Sequence, residues 1–299
     1  IQQQDTTIIL IIRTTDSKLG YELDTAVIHI KESSYCVFID HDYIGIETGT
    51  RHQPFSSFSA LRITPGYGYF LRRGNEILHK GTRISGHIAT KDNPTIFSAY
   101  GSGEKPVFNG QAENGNYGCF FIGSYEDEIN SRSEHIYFYS LKIRNFMYYA
   151  FKLQRISGNF GAYNCVMHNN AQGYCEAVIV ASTKDYVDSN AYRPNEIINC
   201  EIDTVADFGN AFTKIGVGPT TISNCLFKNS NGPGVRFTCG LGHRIQHSII
   251  DNCRDEDGYS ALQLRGSDAV IEDVRITRAG RQGIEITTNI PPSVPNNCT

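Results

Sequence analysis

A short pattern of alternating apolar and polar residues recurs along the second half of this 299-residue chain. Six segments carry it, at residues 138–143, 162–167, 197–202, 222–227, 245–250 and 271–276. The fourth positions of successive segments are separated by 24, 35, 25, 23 and 26 residues. The long interval contains the polar stretch 183–195, which is typical of an inserted loop. The pattern is therefore a loose internal repeat.

A second alternating run follows each segment after a turn that contains Gly or Asn. These runs lie at residues 151–153, 178–180, 213–215, 235–237, 262–264 and 284–286. Period-two alternation predicts short β-strands, and such short strands cannot bury an apolar face alone. Stacking coil on coil buries that face and places matching residues ~4.8 Å apart. The pattern has no amphipathic helices of the kind that an α/β fold needs between strands.

We therefore predict an all-β fold, a parallel β-helix, over residues 34–288. Residues 1–33 form an N-terminal strand segment outside the repeat, and residues 289–299 form a Pro-rich tail. The chain begins at Ile1 without a leader-like segment, so we expect a processed product.

One inward column of the predicted solenoid consists of Cys165, Cys200 and Cys225. Buried thiols in apolar surroundings are inert, so we interpret the column as core packing. Adjacent coils also bring cysteines within reach of a disulfide, which leaves their oxidation state open. An asparagine precedes each of these cysteines, and we expect it to occupy a left-handed turn with its amide bonded to the next coil. The chain has nine cysteines and no Cys-x-x-Cys pair, which does not support a common zinc site.

Charge and hydropathy exclude two classes of partner. The chain has 27 Lys and Arg against 31 Asp and Glu, a net charge of −4. A protein that binds nucleic acid normally carries a basic excess, so we expect no nucleic-acid partner. The longest aliphatic run, Ile8 to Ile12, is far shorter than the ~20 residues of a membrane span. We expect a soluble chain without a membrane span.

Several short motifs in the first half resemble a known family. They are Gly49-Thr50, the run from Pro54 to Phe58, Pro65-Gly66 and the run from Leu71 to Gly74. This order resembles the N-terminal capping segment of the secreted right-handed parallel β-helix proteins of the pectate-lyase-like superfamily. Tyr67 departs from the family pattern, which has Asp after Pro-Gly.

The resemblance extends from about Tyr35 to Thr288. It implies a right-handed coil, carbohydrate as the substrate or partner, and an extracellular or cell-surface location. It does not fix the reaction, because lyases, hydrolases, epimerases, tailspikes and adhesins share this fold.

Chemistry on a β-helix has to use outward positions, since inward ones form the core. The predicted outward column of the second run is Lys152, Ile179, Lys214, Arg236, Gln263 and Glu285. Lys214 beside Arg236 suits β-elimination on a uronic-acid polymer, with lysine as base and arginine holding the carboxylate. This arrangement is similar to that of alginate- and chondroitin-type lyases of the superfamily. We therefore predict Lys214 and Arg236 as catalytic residues.

The remaining polar residues of these runs are substrate-binding candidates, namely Lys152, Gln263, Arg265 and Glu285. The lyases that the column resembles also carry an Asn and a Glu-x-Glu set for Ca²⁺. No such set precedes Lys214, and Glu176 and Asp207 are the nearest acids that could serve as metal ligands. Hydrolysis would need two carboxylates flanking the scissile bond, and the polygalacturonase-like motifs are not present in order. An enzyme of this sequence would therefore more readily be a lyase than a hydrolase.

A non-catalytic function is the alternative. Residues 6–13 form a strongly β-forming strand outside the repeat. This strand could cap its own coil or pair with another copy, which would give a homo-oligomer or a filament. The chain would then be a structural or adhesive surface subunit.

Overall fold

The structure is a computed structural model that describes residues 33–59, 61–111, 118–123, 132–154, 158–170, 177–181, 194–205, 210–215, 218–238, 240, 242–253, 260–265 and 269–287. The strand predicted at residues 6–13 and the Pro-rich tail lie outside these residues. Within them, one short 3-10 helix, Ser33–Tyr35, precedes 23 β-strands. Every strand pairing is parallel.

The strands stack into three faces. Face 1 contains β1 (Cys36–Ile39), β2 (Gly68–Arg72), β5 (Thr95–Tyr100), β8 (Glu134–Tyr139), β11 (Gly158–Tyr163), β14 (Asn195–Ile198) and β17 (Thr220–Ser223). Face 2 contains β3 (Glu76–Leu78), β6 (Val107–Asn109), β9 (Lys142–Arg144), β12 (Val166–His168), β15 (Glu201–Val205) and β18 (Leu226–Ser230). Face 3 contains β4 (Thr82–Ile84), β7 (Gly118–Ile122), β10 (Tyr149–Gln154), β13 (Val178–Ala181), β16 (Phe212–Ile215), β19 (Val235–Thr238), β21 (Leu262–Arg265) and β23 (Ile284–Thr287).

Two longer strands, β20 (His243–Asp251) and β22 (Ala269–Thr277), extend over both face 1 and face 2. They join these faces into one 15-stranded sheet, whereas face 3 is a separate 8-stranded sheet. The predicted parallel β-helix is confirmed. It has three faces where the repeat predicted two runs per coil, because a bend divides the six-residue segments between face 1 and face 2.

The core consists of inward columns that continue from coil to coil. On face 1 the rings of Tyr69 and Phe97 stack with centroids 5.1 Å apart, and those of Phe97 and Phe138 are 4.8 Å apart. The same column continues with smaller side chains, at Ala162, Ile197, Ile222 and Ile245. Burying each large apolar side chain stabilises the fold by roughly 1.5–3 kcal/mol. The solenoid is therefore held together by one continuous apolar interior.

Phe58 covers the N-terminal end of this interior. It is 2% exposed, and its ring lies 6.2, 5.1 and 6.3 Å from the rings of Phe97, Phe108 and Phe120. Before it, Phe55 donates a backbone hydrogen bond to Phe38 and so ties the segment to β1. The motif that resembles a capping segment thus packs where a cap is needed.

The predicted cysteine column is confirmed. The backbone N–H of Cys165 donates to Cys200 Sγ, and that of Cys200 donates to Cys225 Sγ, at 3.4 and 3.5 Å. Ser248 continues the column, because its Oγ accepts from the N–H of Cys225 at 3.1 Å. All described cysteines are buried free thiols, and burial raises the pKa of Cys165 and Cys200. The interpretation as inert core packing therefore fits the structure.

Two corners of the coil depend on left-handed residues. Between face 1 and face 2 these are Ser140, Asn164, Asn199, Asn224, His247 and Asp273, with φ between 48° and 57°. Between face 2 and face 3 they include Asn145, Asn169, Asn229 and Asn252, with φ between 52° and 59°. Asparagine tolerates this conformation better than most residues, which explains its recurrence.

The predicted bonding of amides from coil to coil holds at only one of these corners. At the corner of face 2 and face 3, Asn145 donates to Asn109 at 3.0 Å, Asn169 to Asn145 at 2.8 Å and Asn252 to Asn229 at 2.9 Å. At the corner of face 1 and face 2, Asn164 instead donates to Ser140 Oγ at 3.0 Å. The prediction was therefore correct about the conformation of this row. The amide of Asn164 bonds to the neighbouring coil, but the predicted bonds between the stacked amides of Asn164, Asn199 and Asn224 do not form.

Candidate functional site

The long connections of the coil border face 3. Residues 110–117, 169–177 and 252–261 lead into its strands, and residues 123–133 and 182–194 lead out of them. By contrast, the face 1 to face 2 corner uses pairs such as residues 140–141 and 164–165. Loops on a rigid scaffold commonly carry binding and catalytic residues. Face 3 is therefore the first place to look for a functional site.

The strand register corrects the predicted outward column of this face. The register aligns one column of residues, namely Arg83, Phe121, Lys152, Ile179, Thr213, Arg236, Gln263 and Glu285. Lys152, Arg236, Gln263 and Glu285 share it, as predicted. Its remaining members, apart from Ile179, were not predicted.

The predicted alignment of Lys214 with Arg236 is wrong, because Lys214 pairs with Val180 and Phe237. The cause is Phe212, which takes the buried position opposite Val235 and shifts the strand by one residue. A one-residue shift exchanges the two faces of a strand. The proposed catalytic pairing therefore has no basis in the register.

A hydrogen-bonded series links three coils of this column. Arg236 Nε donates to Gln263 Oε1 at 2.9 Å, and Gln263 Nε2 donates to Glu285 Oε2 at 3.0 Å. Ser260 Oγ donates to the same carboxylate oxygen at 3.1 Å. Gln263 is fully buried, so both ends of its amide are fixed. The series holds the guanidinium of Arg236 in one orientation on the face.

Aromatic rings and cations form a second cluster nearer the N-terminal end of face 3. The guanidinium carbon of Arg83 lies 5.5 Å from the centroid of the Phe121 ring. Lys152 Nζ lies 5.9 Å from the same centroid and 5.6 Å from that of Tyr149. Cations at this distance from an aromatic face are stabilised by about 0.5–2 kcal/mol. Both rings are buried, so the cluster positions its two cations at this end of the face.

Glycine makes this cluster possible. A Cβ on Gly118 would lie 2.1 Å from Cε2 of Tyr149, so the tyrosine ring lies directly across the glycine. The two residues are also register partners in β7 and β10. The ring is therefore held flat against the sheet.

Arg265 lies outside the main column, in register with Thr238 and Thr287 in the next outward column of face 3. Glu176 and Asp207 lie outside the described residues, so their prediction as Ca²⁺ ligands stays untested. No three His, Cys, Asp or Glu side chains in the described part of the chain are grouped closely enough to hold a metal.

Sequence analysis missed Arg83, Phe121 and Ser260. Residues 119–122 are all apolar, so alternation could not assign their faces. Extending the column from Lys152 by one coil towards the N-terminus reaches Phe121, and this extension was the one way to find that residue from the sequence.

The described residues of face 3 combine several cations with one acid. Arg83, Lys152, Arg236 and Arg265 are positive, and Glu285 is the acid of the main column. Cationic side chains on one face of a sheet are suited to an anionic ligand.

Comparison with known proteins supports the fold. The sequence profile of the family described as "Right handed beta helix region" matches residues 186–299. No curated protein matches the chain. Among solved structures, the alginate lyase from Paenibacillus sp. str. FPU-7 is similar with a TM-score of 0.60 and 14% identity, over 81% of this chain and 76% of that one. Pectate lyase Pel9A is similar with a TM-score of 0.52 and 15% identity, over 78% and 68%.

The GH136 lacto-N-biosidase from Eubacterium ramulus is also similar, with a TM-score of 0.54 and 12% identity over 82% of this chain. The chain spans 56% of the length of that enzyme. The fold is a right-handed parallel β-helix of the pectate-lyase-like type, which confirms the predicted handedness and the resemblance. Within the described residues, no helix combines the length and apolarity that crossing a membrane requires.

Proposed function

We propose that this protein binds an acidic polysaccharide along face 3. The observation that carries the proposal is the register column that contains three cations, Arg83, Lys152 and Arg236. Coils repeat every ~4.8 Å, so the first two cations lie two coils, about 10 Å, apart, and the last two lie three coils, about 14 Å, apart along the axis. A linear polymer of uronic acids carries carboxylates along its whole length and can reach cations at these distances.

Each part of the column has a distinct role in this binding. Arg236, oriented by Gln263, offers a fixed guanidinium for one carboxylate. Arg83 and Lys152 offer two further charges, which the buried rings of Phe121 and Tyr149 hold in position. The similar structures titled alginate lyase and pectate lyase support a carbohydrate ligand, with the same fold at low identity.

Lyase activity would need a base next to Arg236. Its register neighbours are Thr213 and Gln263, and neither is a base at neutral pH. The described column therefore supports binding, and β-elimination is an activity to be tested alongside it.

The binding test compares the parent with Arg83→Ala/Lys152→Ala. Affinity electrophoresis in gels that contain alginate, pectate or chondroitin should show retardation of the parent with at least one of them. Loss of two charge contacts at about 0.5–1 kcal/mol each should weaken binding about five- to thirtyfold. Arg275→Ala, which removes an exposed arginine from face 2, is the matched control and should behave like the parent. No retardation in any of the three gels would refute the proposal, as would equal weakening by the control.

The same three polymers, incubated with the protein and Ca²⁺, test for lyase activity through the ultraviolet absorbance of unsaturated products. Absorbance growth that Arg236→Ala abolishes would add β-elimination to binding. Retardation in the gels without any growth in absorbance would identify a protein that binds these polymers without cleaving them.

A further inference from the structure

A second candidate site lies on the opposite side of the coil from the long loops, at the corner between face 1 and face 2. An open groove of about 420 Å³ follows this corner over several coils. Its wall includes the left-handed residues Asn164, Asn199, Asn224 and His247. All four are exposed, so the groove presents a row of polar side chains to solvent.

The two asparagine rows of the protein differ in what their amides bind. Along the corner of face 2 and face 3, the amides bond to one another from coil to coil. Along the groove, the side-chain amides of Asn199 and Asn224 have no hydrogen bond to any described residue. Conformation alone accounts for asparagine in both rows, yet Asn199 and Asn224 in the groove keep their side-chain donors and acceptors available to solvent.

The charged groups of the groove are already compensated. Lys105 Nζ donates to Asn164 Oδ1 at 3.0 Å, and Glu201 accepts a 2.8 Å ion pair from Lys228. His247 Nδ1 lies 3.0 Å from a carboxylate oxygen of Asp273. The ligand that fits such a wall is polar but uncharged, in contrast with the ligand proposed for face 3.

An apolar strip runs beside the amides. Val166, Leu226 and Ile249 line the groove from one register column of face 2, in which Glu201 separates Val166 from Leu226, and Ile249 is 40% exposed. A ligand that combines hydroxyl pairs with apolar C–H faces would contact both the amides and this strip. Sugars have this combination of groups.

The spacing of the row disfavours an extended peptide. Amides on successive coils recur every ~4.8 Å along the axis. An extended peptide presents groups on one side every ~6.7 Å, twice its rise of 3.3–3.4 Å per residue, so it does not repeat in step with the coils.

We propose that this groove binds an uncharged polysaccharide that lies along the helix axis, with the amides of Asn199 and Asn224 bonded to its hydroxyl groups. The site is distinct from face 3 and does not depend on the function proposed there. The protein would then hold two glycans of different charge on two sides of one rod.

The test uses Asn199→Gly/Asn224→Gly, because glycine keeps the left-handed conformation while it removes both amides. Asn229→Gly makes the same change in the other row and is the matched control. Far-ultraviolet circular dichroism confirms that each variant is folded. Titration calorimetry then measures binding of linear hexasaccharides of glucose, mannose, xylose and galactose.

We expect the parent to bind at least one neutral hexasaccharide, and the double variant to bind it about tenfold more weakly or worse. The control should bind as the parent does, and retardation of all variants by acidic polymers should be unchanged. The proposal is overturned if no neutral hexasaccharide binds the parent, or if the double variant binds as tightly as the control. The proposal is also overturned if the parent binds extended decapeptides from a library and no hexasaccharide, and the double variant loses that peptide binding.

Discussion

His79 makes the stability of this protein depend on pH. It is 2% exposed, and its ring lies 5.4, 5.2 and 6.0 Å from the rings of Phe58, Phe108 and Phe120. Nε2 lies 3.0 Å from the hydroxyl of Thr82. These apolar surroundings disfavour the imidazolium ion, and burial lowers the pKa of His79 from 6.5 to about 4.

The sign of the effect follows from proton binding in the two states. In the unfolded chain His79 takes up a proton near pH 6.5, whereas in the folded protein it stays neutral down to about pH 4. Between these values the unfolded state binds more protons, so acidification destabilises the fold. Integrated from pH 7 to pH 4.5, the loss attributable to His79 is about 2 kcal/mol.

His79→Phe isolates this contribution, since phenylalanine suits the surrounding rings and does not titrate. Urea unfolding at pH 7, 6, 5 and 4.5, followed by far-ultraviolet circular dichroism, gives the free energy of unfolding of parent and variant. The lost contact with Thr82 shifts the variant by a constant, so only the change with pH is informative. We expect the variant to lose about 2 kcal/mol less than the parent over this range. His52→Phe, at an exposed position, is the control and should follow the parent. Parallel curves for parent and His79→Phe would refute the reasoning.

Three further predictions concern the core and face 3. Cys200→Val removes the acceptor of the buried N–H of Cys165 and should lower the free energy of unfolding, measured in urea, by about 1–3 kcal/mol. Cys200→Ser should lower it less, because Ser248 shows that a serine hydroxyl can act as the acceptor in this column. Thiol labelling of the native protein, read by peptide mass spectrometry, should leave Cys165 and Cys200 unmodified until denaturant is added; labelling in the native state would contradict their burial. Gly118→Ala should displace the ring of Tyr149, against which Lys152 lies, and weaken binding of acidic polysaccharides with a smaller effect on the midpoint of unfolding. Unchanged binding would argue against Lys152 as a contact.

The interior of this fold could be predicted from sequence because the repeat constrains it strongly. Cys165, Cys200 and Cys225 occupy the same place in three successive coils, and an apolar residue follows each of them two positions later. Only one alignment of the three coils fits this pattern. The bends could be predicted for a similar reason, because asparagine recurs immediately before these cysteines.

Face 3 was harder to predict because its runs have weaker patterns. In residues 212–215 both Phe212 and Ile215 are apolar, so alternation is compatible with two registers, and the burial of Phe212 decides between them. The contacts that orient Arg236 depend on Gln263 and Glu285 in later coils, and hydrogen bonds of this kind have no sequence pattern of their own. The long connections bordering this face add further groups that no repeat describes.

In a β-helix, matching positions of successive coils lie in one line, so a residue type that recurs in the repeat forms a row. A row that faces inward packs in the core. Ser248 can take the place of a cysteine in the cysteine column, because its Oγ accepts a hydrogen bond from a backbone N–H of the preceding coil, as the cysteine Sγ atoms do. Where the row faces outward, the consequence is a linear surface whose character is set by one position per coil. Asn145, Asn169 and the other members of the bonded row use that position to hold the corner together. In the groove, Asn199 and Asn224 meet the same backbone requirement without forming bonds of this kind to the described residues. Their amides therefore contribute little to stability, and binding is the property that their removal should change.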